Sequence, residues 1–328
     1  MKPLHPILVT GAAGFIGSRF VASCNEQGWP VVSVDELASF GTRPEMAGID
    51  FGSRVSLHEL RSWLQTEQPA LKAVVHLGAC TDTTEMNEAY LKSVNLDYSQ
   101  HLWTYCVQQR LPLVYASSAA TYGDGSLGYD DDETLIPRLK PLNPYGQSKQ
   151  DFDCWALDQE RRGSSPPAWS AFKFFNVYGF GERHKDKMAS VVLHAFDQVR
   201  TKGKVRLFKS HKAGIADGEQ KRDFIYVRDV VDVLRFALEK PLARGIFNLG
   251  TGQARTFLDL VRCVFRELGR PEAIEFIDTP IEIRERYQYF TEAKMGRLRA
   301  AGYTAPFTSL EEGVRLYVRG LLAQAART

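Results

Sequence analysis

The stretch VTGAAGFIGS, residues 9–18, decides the fold of this chain. It places Gly11, Gly14 and Gly17 after an apolar strand, residues 6–10, and at the start of an apolar helix. At such a junction the backbone N–H groups and the helix N-terminus can approach a pyrophosphate, because glycines leave no side chain in the way. Three glycines alone also suit a merely tight turn, so the prediction of a dinucleotide site needs the context that follows.

Strands and helices alternate beyond this turn. The strand VVSVD (31–35) is followed by the helix LHELRSWLQTEQ, the strand AVVHLGA, a long helix around LDYSQHLWTYCVQQR and the strand LPLVYASSAA. This alternation requires a parallel sheet with helices on both faces. A further strand, AWSAFKFFNVYG, ends near residue 179. The segments DFIYVRDVVDVLRFALEK and GIFNLGTG are predicted to return to the sheet as a helix and a strand.

The sequence therefore predicts an α/β protein with a Rossmann-type doubly wound parallel sheet and a smaller mixed α/β substrate-binding lobe. We assign residues 1–176 and 223–252 to the dinucleotide-binding domain. Residues 177–222 and 253–328 are assigned to the second, substrate-binding domain.

The composition limits the possible partners. The 328 residues are 44% apolar and 24% charged, as in globular proteins, and the formal net charge is only +2. Such a charge creates no long-range field, so we expect a small-molecule substrate and neither nucleic acid nor a membrane as partner. The five cysteines are scattered without C-x-x-C spacing, which predicts neither disulfides nor a metal site. The sequence shows no signal peptide and no bilayer-length apolar stretch, so we expect a cytoplasmic protein.

Charged residues near the second strand bear on the choice of dinucleotide. Asp35, at the end of that strand, would hydrogen-bond ribose hydroxyls and ordinarily favours NAD over NADP. Glu36 beside it favours NAD as well, whereas Arg43 and Arg54 could reach the 2′-phosphate of NADP. The residues alone leave both cofactors open.

The stretch NPYGQSK carries Tyr145 and Lys149 four residues apart on a predicted helix, which places both on one face. Lowering a tyrosine pKa to about 7 takes roughly 4 kcal/mol. One ammonium about 5 Å away supplies roughly 3 kcal/mol at an effective dielectric constant of about 20, so Lys149 is of the right magnitude. Ser118, at the end of a strand, could donate a hydrogen bond to the same substrate oxygen.

Over nearly its full length the chain resembles the extended short-chain dehydrogenase/reductase family. The matching motifs are TGAAGFIG, HLGA, SSAATYG, PYGQSK, FNVYG, RDFIYVRDV and FNLGTG. The resemblance implies that Ser118, Tyr145 and Lys149 are the hydride-transfer machinery of an enzyme acting on nucleotide sugars. It also implies a nicotinamide cofactor, NADP with NAD as the alternative. The residues implied to bind it are Gly11, Gly14, Phe15, Ile16, Gly17, Asp35, Glu36, Arg43, Arg54, Leu77, Gly78, Ala79, Asn95, Tyr145, Lys149, Val177 and Lys185.

Two further stretches narrow the reaction. Sugar dehydratases of this family carry acidic residues after the strand serine, whereas this chain has Ala119 and Ala120, which disfavours elimination and leaves oxidation followed by re-reduction. The stretch GERHKDKMAS, residues 181–190, taken alone is most simply a solvated surface loop.

Together with GACTDTTE, QKRDFIYV and RYQYFTEAKMGRLRAAGY, however, the segment RHKDKMAS is similar to the ADP-glycero-manno-heptose 6-epimerases of that family. These isomerases act in making the heptose of the lipopolysaccharide inner core. The resemblance implies two bases, Tyr145 and Lys185, on opposite sides of carbon 6, and assembly as a homo-oligomer. The implied substrate contacts are Ser118, Asn176, Lys187, His194, Phe208, Ser210, Arg222 and Tyr287.

Departures from that group leave alternatives open. Lys187 replaces a small residue, Glu36 replaces a neutral one, and residues 211–220 form an enlarged loop. The nearest alternative is another nucleotide-sugar epimerase or reductase of the same family. A different class of alternative is a non-catalytic protein that senses the dinucleotide, for which the glycine turn alone would be enough.

Overall fold

The computed structural model of the protein describes residues 5–240, 242, 244–284 and 287–326, without the side chains of residues 282 and 283. Within these residues the strands are β1 (Ile7–Thr10), β2 (Val31–Asp35), β3 (Ser53–Ser56), β4 (Ala73–His76), β5 (Leu113–Ser118), β6 (Trp169–Phe174), β7 (Asn176–Tyr178), β8 (Val205–Phe208), β9 (Lys221–Tyr226), β10 (Gly245–Leu249), β11 (Ala254–Thr256) and β12 (Ile274–Ile277).

The α-helices are α1 (Phe15–Glu26), α2 (Leu60–Glu67), α3 (Glu88–Leu91), α4 (Tyr98–Gln109), α5 (Pro144–Arg161), α6 (Val191–Lys202), α7 (Val227–Glu239), α8 (Phe257–Glu267), α9 (Ile281–Arg284), α10 (Gly296–Ala300) and α11 (Leu310–Ala325). A π-helical turn, Lys92–Asp97, joins α3 to α4, and a short 3₁₀ segment, Arg183–Met188, precedes α6.

Seven parallel strands form the main sheet in the order β10-β6-β5-β4-β1-β2-β3. Every residue of β1 and β4 is buried, which explains why both strands are apolar except for their last residues, Thr10 and His76, which are hydrogen-bonded to each other. Ile7 and Val9 pack into the core on one face of the sheet, and Leu8 packs into the core on the other, as strand geometry requires. The predicted α/β fold with a doubly wound parallel sheet is confirmed.

A smaller lobe is built from two minor sheets, ordered β11-β9-β7 and β12-β8, which pack with α6, α8 and α11 around a third core.

Two boundaries predicted from the sequence were wrong in this part of the fold. The strand predicted to run to residue 179 breaks into β6 and β7, because residues 176–178 leave the main sheet to pair with β9. Residues 221–226 form β9 rather than helix, and the helix begins only at Val227.

Two further observations concern the helices and the cysteines. No helix in the described part of the chain combines the length and the apolar character needed to cross a membrane. All five cysteines are free thiols, and three of them, Cys24, Cys106 and Cys263, are buried as small apolar residues.

Candidate functional site

Backbone groups alone line the turn after β1. Gly11 has a φ of +66°, and a Cβ there would lie 2.7 Å from the backbone nitrogen of Gly78. A Cβ on Gly17 would lie only 1.9 Å from the carbonyl oxygen of Gly11, and one on Gly14 would lie 3.0 Å from that oxygen. The turn is therefore a cradle of peptide groups at the N-terminus of α1, and it fits the pyrophosphate of a dinucleotide.

Asp35 and Arg43 both contact this cradle. The Asp35 carboxylate accepts hydrogen bonds from the backbone N–H groups of Ala13 and Glu36, each at 2.8 Å. Burial raises the pKa of Asp35, and these two hydrogen bonds oppose the shift. Arg43 donates from Nη2 to the Ala13 carbonyl, and its buried Nη1 has no hydrogen-bond partner among the described residues. One guanidinium donor beside Asp35 is thus free for an anionic group of a ligand.

The other two charged residues predicted near the adenosine ribose lie at the surface. Glu36 is exposed, and its Oε1 lies 2.9 Å from Nε2 of His58, a residue that nothing in the sequence singled out. Arg54 is also exposed, with its guanidinium 5.9 Å from the centroid of the Phe40 ring. Both side chains are near the end of β2 without being held in a fixed site.

Asn95 is buried, 1% exposed, in the π-helical turn before α4. Its Oδ1 accepts from the Cys80 N–H at 2.9 Å, and its Nδ2 lies 3.0 Å from both the Cys80 carbonyl and the Ser148 hydroxyl. The side chain therefore ties the loop after β4, which contains residues 77–79, to helix α5. π-helical turns occur frequently at functional sites, and here the turn supports two predicted cofactor-binding segments.

Helix α5 carries Tyr145 and Lys149 one turn apart, and both are buried, at 8% and 6% exposure. Pro144 occupies the first helical position and the Asn143 side chain caps the helix, so the sequence fixes where this helix starts. The Ser118 hydroxyl at the end of β5 is hydrogen-bonded to that of Tyr145. Lys149 Nζ also donates to a carbonyl of β5. The structure therefore brings Ser118, Tyr145 and Lys149 together.

Burial dominates the acid–base properties of this group. It raises the pKa of Tyr145, which the Ser118 hydrogen bond only partly offsets. It lowers the pKa of Lys149 to about 8, and the Asp153 carboxylate opposes that shift. Lys149 Nζ donates to the Ala116 carbonyl at 3.0 Å. The expectation that Lys149 suffices to lower the tyrosine pKa therefore does not hold in the protein alone, because the desolvation of the phenol outweighs it.

A buried ion pair under α5 was missed by the sequence analysis. Lys173 on β6 and Asp153 on α5 are both completely buried, with Nζ 2.6 Å from Oδ2. Ser117 donates to the same carboxylate at 2.7 Å, and Tyr115 does so at 3.2 Å, so the charge is fully hydrogen-bonded. Asp153 lies four residues beyond Lys149, a spacing that places it on the same face of the helix as Lys149 and Tyr145.

The segment 181–190 is not a uniformly solvated loop. Its residues 183, 184, 186 and 187 are exposed, whereas Lys185 is half-buried, with Nζ 5.7 Å from the centroid of the Phe15 ring. Phe15 and Ile16 form the first turn of α1, so the amine lies beside the phosphate cradle. Burial lowers the pKa of Lys185, and the nearby Glu182 carboxylate opposes that shift. A lowered pKa makes this amine easier to deprotonate than an exposed lysine.

Arg222 on β9 is a buried cation of the smaller lobe, 7% exposed. Its guanidinium lies 5.2 Å from the Tyr287 ring and 5.6 Å from the Phe257 ring, and it donates to the Lys221 carbonyl at 3.0 Å. Burial lowers its pKa, and the titratable groups that interact with it in the described part of the chain are the phenols of Tyr287 and Tyr129, not carboxylates. A buried cation that lacks an acidic partner fits an anionic ligand.

A cavity of about 450 Å³ lies beside Tyr289, whose ring centroid is 5.3 Å from that of Tyr287. Its lining residues are His211, Lys212, Ile281, Arg284 and Tyr289. The remaining predicted substrate contacts are half-buried His194, Phe208 and Ser210, and exposed Asn176 and Lys187. Val177, predicted to bind the cofactor, is half-buried on β7. The structure thus provides a cradle of peptide groups after β1 and, in the smaller lobe, a basic and aromatic region around Arg222 and Tyr287.

The chain belongs to the NAD dependent epimerase/dehydratase family, whose sequence model matches residues 7–250, from β1 to just past β10. It is thus an enzyme that works with a nicotinamide dinucleotide, which agrees with the cradle after β1.

Curated relatives indicate a narrower group of enzymes within this family. A protein of Fusobacterium nucleatum is 44% identical over 329 residues and is named ADP-L-glycero-D-manno-heptose-6-epimerase; the match covers 97% of this chain and 98% of the relative. A protein of Nitratidesulfovibrio vulgaris with the same name is 47% identical over 323 residues, with the same two coverages. The predicted resemblance to the ADP-heptose 6-epimerases is confirmed.

Solved structures agree with this placement. The crystal structure of ADP-L-glycero-D-manno-heptose-6-epimerase from Helicobacter pylori superposes with a TM-score of 0.80 at 26% identity, covering 98% of this chain and 99% of that one. UDP-glucose 4-epimerase from Thermus thermophilus in complex with NAD superposes with a TM-score of 0.77 at 26% identity, covering 96% and 98%.

Proposed function

We propose that the protein interconverts the D-glycero and L-glycero epimers of ADP-glycero-manno-heptose by transient oxidation at carbon 6. The observation that carries this proposal is the inward position of Lys185, whose amine lies beside the phosphate cradle while its neighbours are exposed. With Tyr145 it provides the second proton-handling group that inversion requires. The names of the relatives from Fusobacterium and Nitratidesulfovibrio support the same substrate.

Two bases are needed because of the stereochemistry of the substrate. Carbon 6 has no acidic proton, so its configuration changes only through a ketone. The two epimers present their hydroxyl on opposite sides of the hydride path, and one base cannot serve both unless the sugar turns over. Tyr145 therefore handles the proton of one epimer and Lys185 that of the other. Ser118 holds the substrate oxygen by a hydrogen bond, and Lys149 keeps a positive charge beside Tyr145.

The cofactor fits the residues around the cradle. Gly11, Gly14 and Gly17 would hold the pyrophosphate, and Asp35 would hold a ribose. When bound, an oxidised nicotinamide supplies a hydride acceptor and a positive charge. That charge supplements Lys149, which is insufficient alone to lower the tyrosine pKa.

Arg222 and the cavity beyond Tyr287 accommodate the rest of the substrate. The buried guanidinium would pair with the diphosphate, and the cavity lined by Tyr289 would take the nucleoside. On this assignment the larger domain, residues 1–176 and 223–252, holds the cofactor, and residues 177–222 and 253–328 hold the nucleotide sugar. A role in lipopolysaccharide inner-core heptose synthesis, a homo-oligomeric assembly and a cytoplasmic location stay predictions.

NADP is the cofactor we propose, because Arg43, beside Asp35, keeps a buried guanidinium nitrogen to which no other described residue is hydrogen-bonded. Arg43→Ala is expected to weaken NADP⁺ binding by about 10- to 100-fold, since a hydrogen bond to a charged group contributes about 1.5–3 kcal/mol. NAD⁺ binding should change less than about threefold by the same argument, because NAD⁺ lacks the phosphate.

Calorimetric titration with NADP⁺ or NAD⁺, using protein from which bound dinucleotide has been removed, measures both affinities. Arg61→Ala, which removes an exposed arginine on α2, is the matched control and should leave them unchanged. Equal losses for the two dinucleotides in Arg43→Ala would contradict the NADP assignment. Denaturing the purified protein and identifying the released dinucleotide provides an independent check.

Incubation with ADP-D-glycero-D-manno-heptose tests the proposed function itself. We expect the L-glycero epimer to accumulate to an equilibrium mixture, as measured by anion-exchange chromatography and proton NMR. UDP-glucose, offered in parallel, should not be epimerised. Absence of inversion at carbon 6 with inversion of UDP-glucose would favour the alternative of another nucleotide-sugar epimerase.

A further inference from the structure

Glu182 is a buried acid in an otherwise exposed, basic segment. Its side chain is 0% exposed, although the residues that follow it include Arg183, His184 and Lys187 at the surface. Burial raises the pKa of Glu182, and hydrogen bonds from Ser190 oppose that shift. Burying a carboxylate is unfavourable unless its oxygens are hydrogen-bonded, so its partners indicate what it does.

The partners of this carboxylate are the two ends of the segment that carries Lys185. Oε1 accepts from the Ser190 hydroxyl at 2.6 Å and from the Gly179 N–H at 3.3 Å, and Oε2 accepts from the Ser190 N–H at 2.7 Å. Gly179 directly follows β7, and Ser190 is the N-cap of α6. One side chain therefore fastens both ends of residues 179–190 to rigid elements.

The conformation inside the segment needs such a fastening. Two tight turns bracket Lys185, closed by hydrogen bonds from Lys185 N–H to the Glu182 carbonyl at 2.9 Å and from Ala189 N–H to the Asp186 carbonyl at 3.0 Å. Asp186 has φ +46° and ψ −117°, a backbone conformation that favours glycine. A strained residue next to Lys185 persists only when its surroundings enforce it.

Charge also links the acid to the amine. Lys185 and, from α11, Tyr317 are the titratable neighbours that interact with the Glu182 carboxylate. The exposed pair of Arg183 with Asp197, at 2.8 Å, lies on the outer side of the segment. Glu182 is thus adjacent to Lys185 in space but does not itself reach the phosphate cradle.

We propose that Glu182 is a positioning residue, whose buried carboxylate fixes the segment 179–190 so that the Lys185 amine points to the reacting carbon. This inference depends on the proposed role of Lys185 as the second base. It assigns to Glu182 no contact with substrate or cofactor.

Glu182→Gln keeps the shape of the side chain but replaces one acceptor oxygen with a donor that faces Ser190. We expect kcat per folded molecule to fall by about 10- to 100-fold with KM changed by less than about threefold, as for a displaced catalytic group. Glu182→Asp keeps the charge but withdraws the carboxylate by one methylene, and it should lower kcat as well. Arg183→Gln, the matched control in the same segment, should match the wild type.

Hydrogen exchange measured by mass spectrometry supplies a readout that does not depend on the substrate. The peptide spanning residues 179–190 should exchange at least about fivefold faster in Glu182→Gln, with other peptides unchanged, because the amide leaves one acceptor oxygen for the three donors of Gly179 and Ser190. Should Glu182→Gln not fold, Ser190→Ala removes one of the three hydrogen bonds and should still lower kcat.

Wild-type kcat in folded Glu182→Gln or Glu182→Asp, or in Ser190→Ala, would overturn the proposal. So would unchanged exchange of residues 179–190 in Glu182→Gln. Failure of the wild-type protein to invert carbon 6 would instead reject the proposed function, and the exchange measurement would still decide whether Glu182 fastens the segment.

Discussion

Tyr145→Phe is expected to lower kcat for epimerisation by about 10³-fold, because it removes one of the two proton-handling groups without changing the shape of the side chain. The substitution removes the hydrogen bond between the Tyr145 and Ser118 hydroxyls and keeps the ring in place. The free energy of unfolding should therefore change by less than about 1 kcal/mol, the usual contribution of one hydrogen bond. Steady-state kinetics and urea denaturation measure the two quantities.

Tyr105→Phe is a matched control for this substitution. Tyr105 lies on α4 and is 8% exposed, the same fraction as Tyr145, but it is far in sequence from every predicted site residue of α5. Its kcat should equal that of the wild type. If Tyr145→Phe kept a rate within about threefold of the wild type, the phenol would not be a base, and the dinucleotide-sensing alternative would regain support.

Lys173→Met is expected to lower the free energy of unfolding by about 3–5 kcal/mol, the largest effect on stability that we predict. Lys173 and Asp153 are both completely buried, and removing the cation leaves a carboxylate in the core without its ion-pair partner, hydrogen-bonded by Ser117 and Tyr115. Urea denaturation followed by circular dichroism measures the loss.

Lys204→Met provides the contrast, because the Lys204–Glu275 pair has the same 2.6 Å separation but is half-exposed on both sides. Removing the Lys204 ammonium should lower the free energy of unfolding by less than about 1 kcal/mol, as for surface ion pairs in general. Lys173→Arg, which retains the charge, should recover part of the lost stability. A loss below about 1 kcal/mol in Lys173→Met would show that the buried pair does not support the fold.

The main sheet could be predicted from the sequence because its signals are local. The apolar run before Gly11 and the glycine turn place β1 and α1, and buried parallel strands appear as short apolar segments. Strand β3 was not predicted, since Ser53–Ser56 contains a single apolar residue and two of its four residues are exposed. Its position depends on pairing with β2, a tertiary contact that local patterns do not encode.

The site was predictable where a motif sets it. Tyr145 and Lys149 lie on one helix, so their spacing alone places them together, and the structure does so. The partnership of Asp153 with Lys173 was not predictable, because the two residues come from different elements and either acid or cation could equally be at the surface. The i+4 spacing from Lys149 to Asp153 was the signal available.

The prediction for Lys185 needed both the local sequence pattern and the resemblance to a known family. Its surroundings in the sequence are charged and predict a solvated loop, and its neighbours are in fact exposed. Only the resemblance to the 6-epimerases, joined to the need for a second base, indicated that this one lysine turns inward. Glu182, which holds the segment in place, gave no sign in the sequence because a single acid in a basic stretch is ordinarily at the surface.

The measurement that tests the account most directly is the trapping of the 6-ketone from each epimer separately. Wild type, Lys185→Met and Tyr145→Phe are mixed in molar excess with one pure epimer and quenched with borodeuteride, which adds deuterium at carbon 6 of any ketone present. Mass spectrometry then reports the fraction labelled. Both variants should retain bound dinucleotide and a folded structure.

If Tyr145 and Lys185 act on opposite sides of carbon 6, each variant should fail to oxidise a different epimer. Lys185→Met should form the ketone from one epimer only, Tyr145→Phe from the other only, and neither should convert one epimer to the other at more than about 1% of the wild-type rate. Wild-type conversion by Lys185→Met, or the same loss from both epimers in the two variants, would contradict the claim that a phenol and an amine act on opposite sides of one carbon.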